Sequence, residues 1–155
     1  MNIYLLFKWA HIISSVVLVG VGFGSAFYLF YINRTRNVAA IAEVAKLVVK
    51  ADYWFTAPAA LIQPATGMML VSMAGYSYIE AWLLGTYTLF ALAGTCWLYV
   101  VWIQIQMAQI AASSINKNKL PENYWRFARI WERLGIVGFS SMLIVYGLMV
   151  FKPGV

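Results

Sequence analysis

Charged positions along this chain are confined to short islands, and the intervals between them are almost wholly apolar. Four intervals carry no Lys, Arg, Asp or Glu: Trp9–Asn33 with 25 residues, Tyr53–Ile79 with 27, Ala81–Asn116 with 36 and Leu134–Phe151 with 18. A spanning helix needs about 20 predominantly apolar residues, within a range of roughly 17–25. Each interval is long enough to cross a bilayer. The pattern predicts an all-α membrane protein, a four-transmembrane-helix bundle occupying 1–155 as one domain, with spans over about 4–32, 53–74, 81–109 and 134–151. The first run reads as a span rather than a cleaved leader. Lys8 and His11 interrupt the short apolar run that a leader would need, and the run continues to Tyr31.

Finer periodicities subdivide this plan. At about 100° per residue, Lys8, His11, Ser15, Gly22 and Ser25 share one side of the first helix, with Ser14 beside them. Small and polar residues favour helix–helix contact in lipid because they allow close approach and hydrogen bonds. Between the first two spans, Arg36–Ala51 reads as an amphipathic helix on the cytoplasmic side. Glu43, Lys46 and Lys50 form one face, and Val38, Ile41, Ala45, Val48 and Val49 another. Such a helix either lies on the membrane surface or extends the second span inward. The second span contains Pro58 and Pro64, and proline removes a backbone donor. Gln63 and Thr66 are available to satisfy the freed groups. Gln63-Pro64-Ala65-Thr66-Gly67 is therefore either a polar pocket in the bundle or a purely structural kink. The third stretch exceeds the bilayer requirement, so its end, with Gln104, Gln106 and Gln109, is expected to project into the cytoplasm.

Composition then narrows the classes. The chain is 63% apolar and 10% charged, against roughly 45–50% and about 25% in soluble domains. No sizeable soluble catalytic domain fits. The net charge of +6 would suggest nucleic acid in a soluble protein, but its distribution argues for topology instead. Arg34, Arg36, Lys46 and Lys50 lie between spans one and two, and Lys117, Lys119, Arg126, Arg129 and Arg133 between spans three and four. Only Lys152 flanks the other side. By the positive-inside rule both basic connections face the cytoplasm and both termini face outward. The expected location is the bacterial inner membrane, multi-pass, with membrane lipids as partners and no nucleic acid. Arg126, Arg129 and Arg133 form a stripe that either anchors the helix at the interface or docks anionic headgroups, with Tyr124, Trp125 and Trp131 as the aromatic belt.

Few residues remain for chemistry. The single histidine excludes a His-pair metal site, and the lone Cys96 falls mid-span, excluding an intramolecular disulfide. An ionisable side chain inside a span is by default a functional candidate, so His11 stands out. Depth counting puts Gln63, Thr66, Met68 and Met69 of span two at a similar level, together with Tyr87 of span three and Tyr146 of span four. These seven residues make up the candidate site. The competing reading makes His11 a neutral imidazole hydrogen-bonded to Ser14, Ser15 or a neighbouring helix.

The segments Lys8-Trp9-Ala10-His11-Ile12-Ile13, Asp52-Tyr53-Trp54-Phe55-Thr56-Ala57-Pro58-Ala59, Gln63-Pro64-Ala65-Thr66-Gly67 and Val101-Trp102-Ile103-Gln104 resemble a bacterial family of predicted integral membrane proteins catalogued as a domain of unknown function. A more distant similarity is to the HemJ-type protoporphyrinogen oxidases, four-helix membrane proteins that bind b-type haem. Lys8 through Ser14 resembles their first-helix motif, Thr56 through Gly67 their second helix and Phe151-Lys152-Pro153 their C-terminal end. That resemblance implies haem b, with His11 as an axial iron ligand and the only metal-ligating position carried over. The second ligand would be a Met of span two, an exogenous molecule or His11 of a second copy. The partner would be a homo-oligomer or a membrane redox protein. The chain departs from the pattern at Trp82-Leu83-Leu84-Gly85-Thr86, which lacks that family's functional lysine, and around Cys96, where a histidine is common. The alternative function is a cofactor-free membrane subunit or lipid-binding scaffold.

Overall fold

Four long helices are what the charge gaps predict, and four are found. The computed structural model describes residues 2–154 and contains α1 (Ile3–Thr35), α2 (Val38–Ala51), α3 (Ala57–Ala74), α4 (Ala81–Ser113) and α5 (Glu122–Phe151). There is no strand among the described residues. A π-helical turn, Asp52–Thr56, joins α2 to α3, so Val38–Ala74 is one 37-residue helix. The amphipathic segment thus extends the second span instead of lying on the membrane surface. Pro58 has no amide hydrogen, and its ring would crowd the carbonyl four residues back; the widened turn just before it takes up that crowding. Four helices, counting Val38–Ala74 as one, are long and apolar enough to cross a membrane.

Local signals set the ends. Asn2 and Asn37 cap α1 and α2 by accepting from the Tyr4 and Ala40 amides, at 3.0 and 3.1 Å. Gly75 closes α3 at a φ of 75°, a left-handed conformation that costs glycine little.

A helix of 33 residues is roughly 50 Å long, against about 30 Å of hydrocarbon. Roughly a third to nearly a half of each helix therefore lies beyond the bilayer core. The charges put this overhang at the end holding the 36–37 turn and the 114–121 connection. The packing agrees. Leu29, Ile41, Ala45 and Val48 of the first two helices meet Ile103, Met107, Tyr124 and Trp131 in one buried cluster there. Water drives apolar surface together, whereas lipid tails give no such drive between helices. The half nearer the termini has only a small cluster around Val71, Trp82 and Leu83. In that half α1 pairs with α3 and α4 with α5, while α2 joins the two pairs through α4.

Ile103 is fully buried in the large cluster, whereas Ile136 is 67% exposed in the lipid-facing part of α5. Ile103→Ala is expected to lower unfolding stability in detergent by about 2–5 kcal/mol, read by circular dichroism against denaturant. Ile136→Ala should stay close to wild type. Equal effects from the two would contradict a core concentrated at the basic end.

Candidate functional site

The polar residues of α1 and α3 meet face to face. His11, Ser14 and Ser15 lie one turn apart on α1, and Gln63, Thr66 and Gly67 repeat that spacing on α3. The His11 ring enters between them. Its Nδ1 is 2.9 Å from Thr66 Oγ1, and its Nε2 is 3.0 Å from the amide nitrogen of Gln63. An amide nitrogen only donates, so Nε2 accepts and Nδ1 carries the proton. Thr66 takes that proton's hydrogen bond and donates its own hydroxyl to the Ile62 carbonyl at 2.7 Å. Gln63 Oε1 accepts from the Ser14 hydroxyl. Every polar side-chain atom in this cluster has a partner, which an apolar environment demands.

Gly67 makes the insertion sterically possible. A Cβ at this position would stand 3.1 Å from His11 Cε1, so a larger residue would force the ring aside. The Gln63–Gly67 segment is therefore filled by His11 and is not an open pocket, and α3 runs unbroken through Pro64. Thr66 does bond the main chain beside the proline. Gln63 instead reaches across to α1.

Of the expected site, the structure brings together His11, Gln63 and Thr66. Tyr146 joins its edge from α5 by donating to the Ser15 carbonyl at 3.0 Å. Met68 and Met69 are 55% and 46% exposed, and Tyr87 is exposed as well, so all three face away from the ring. Depth alone does not make neighbours: 68 and 69 turn away from the face that 63, 66 and 67 present, and α4 packs on α5 rather than on α1.

These residues do not fit haem as arranged. The Nε2 lone pair that iron would need accepts from Gln63, and the span-two methionines cannot face His11 from their outward positions. No group of three or more His, Cys, Asp or Glu is placed to hold a metal ion among the described residues.

The expected headgroup residues also divide. Arg126 and Arg133 are exposed, and Arg129 pairs with Glu122 at 3.2 Å on the surface. Trp125 is half-buried beneath the Arg36 guanidinium, 3.9 Å from its ring centre. Trp131 was expected at the headgroup level but is buried, as is Tyr124, because 124, 128 and 131 form the inward stripe of α5. Tyr124 donates to Asn33 at 2.7 Å and ties α5 to the end of α1. Gln104, expected to project into water, is buried too.

Gln104 belongs to a second polar centre, which sequence reasoning missed. Asp52, at the π turn, is 4% exposed. With its nitrogen toward Asp52, the Gln104 amide lies 2.6 Å from Oδ2, and its oxygen accepts from Trp131 Nε1 at 3.2 Å. A signal for it exists. Asp52 continues the inward stripe 41, 45, 48 of α2, and Gln104 adjoins the inward stripe 100, 103, 107 of α4.

Residues 5–153 match the family described as "Predicted integral membrane protein (DUF2269)", and the chain belongs to that family. No curated protein and no solved structure matches it.

The His11–Gln63 contact is testable by a double-mutant cycle of His11→Ala and Gln63→Ala, with unfolding followed in detergent. Interhelical hydrogen bonds in membrane proteins average about 0.6 kcal/mol and reach about 1.7. A coupling energy in that range is expected. Strict additivity would mean that the two side chains do not act on each other.

Proposed function

We propose that this member of a family of predicted integral membrane proteins is a cofactor-free membrane subunit, a helical scaffold and not a redox enzyme. The observation that carries this reading is the engagement of both His11 ring nitrogens in bonds between α1 and α3. His11 is the one side chain with a claim to cofactor chemistry, and its donor set is already complete without a metal.

Two surfaces support a scaffold role. α1 is the least buried of the four spans. There Gly20, Gly22 and Gly24 have open space where a side chain would be. Helices of small residues pack closely in lipid, so α1 is the face for a second membrane helix, either from another copy or from a partner subunit. At the opposite end of the bundle from the termini, Arg126 and Arg133 project freely, which suits anionic headgroups. The nine-to-one distribution of flanking basic residues supports an orientation with both termini outside a bacterial cytoplasmic membrane.

Two measurements test these statements. The protein, expressed with ample haem and purified in detergent, is expected to give a reduced-minus-oxidised visible spectrum without a Soret band. A stoichiometric band that His11→Ala abolishes would overturn the cofactor-free reading and make His11 an axial ligand. For orientation, a reporter active only outside the cytoplasm and fused after Val155 should be active, whereas an inactive fusion would reverse the topology.

A further inference from the structure

We propose that Asp52 is a proton-binding site, built where the π turn of the long second helix meets α4 and α5. Asp52 is the chain's sole aspartate. It sits at the junction between the membrane-spanning half of the bundle and its overhang. A buried carboxyl group at this level is costly, and such groups mark functional positions.

Its surroundings contain no compensating cation. α1 carries no charge from Trp9 to Asn33, and α4 carries none from Ala81 to Asn116. α5 meets the site through the neutral indole of Trp131. On its own element the nearest charge, Lys50, is exposed. The groups at the carboxyl are all uncharged: Gln104, Thr56 and Trp97.

These neutral partners suit both protonation states. In the ionised state the Gln104 amide donates to Oδ2 and is itself held by Trp131. Thr56 Oγ1 and Trp97 Nε1 are buried beside the carboxyl and have no other hydrogen-bond partner. An indole N–H only donates, and it is accepted by either oxygen of the carboxylate or by the carbonyl oxygen of the acid. A hydroxyl both donates and accepts, so Thr56 donates to the carboxylate and accepts from the carboxylic acid. A fixed salt bridge would lock one state, but this arrangement accommodates a proton arriving and leaving.

Because Asp52 is the only aspartate, carbon-13 placed in aspartate carboxyl groups gives one NMR resonance in the full-length protein in detergent. That resonance should titrate as a single proton, and the indole N–H signal of Trp97 should shift with the same midpoint. Gln104→Leu removes a donor to the ionised form and should raise the midpoint by about one pH unit, a tenfold gain in proton affinity worth about 1.4 kcal/mol. Two wild-type results would overturn the proposal, and neither depends on the variant folding. One is a resonance that keeps a single protonation state wherever the protein stays folded. The other is a titration at the midpoint of free aspartate with the Trp97 signal unmoved.

Discussion

A polar side chain inside an apolar bundle must find its partners within the protein, and the interior of this molecule is arranged around that requirement. His11 cannot be left unpaired among lipid-facing helices, because no water is there to bond it. Thr66 and Gln63 meet its two nitrogens, Ser14 meets Gln63, and the Ile62 carbonyl meets Thr66. The chain of bonds sets the register and rotation of α1 against α3, and Gly67 supplies the room. Asp52, Gln104 and Trp131 apply the same rule one level away and connect the second helix to α4 and α5.

These two centres divide the work of assembly. In the half nearer the termini there is little apolar drive between helices, so a few directional bonds orient the α1–α3 pair. In the overhang, Leu29, Ile103 and Met107 are buried in a dense core that aqueous surroundings favour. Asp52 stands at the boundary between these regimes, beside the one turn where the helix departs from α-helical spacing. π-helical turns often accompany functional positions.

Much of this was legible in the chain. The charge gaps give the four crossings, and of the apolar face read for the 36–51 segment Val38, Ile41, Ala45 and Val48 are buried, while Val49 is half-buried. Its continuation into the second span is not fixed by the pattern, because periodicity says which face is apolar but not what lies opposite. The site was partly legible for a related reason. Counting residues gives depth along a helix, so Gln63 and Thr66 were found with His11. It does not give the pairing of helices, so Tyr87 of α4 was grouped with His11 although α4 packs on α5 and not on α1. Asp52 reads as an acid at the end of a span because the charge gap begins one residue after it, whereas its place on the 41, 45, 48 stripe marks it as interior.

The pairing of α1 with α3 rests on the state of one imidazole, and the chain contains one histidine. Nitrogen-15 NMR of histidine-labelled protein in detergent or lipid therefore reads it without overlap. The predicted spectrum is that of a neutral ring protonated at Nδ1, with Nε2 as an unprotonated hydrogen-bond acceptor. An Nε2 resonance shifted by metal ligation would contradict the account. So would a ring whose two nitrogens average by tautomer exchange, as they do in water.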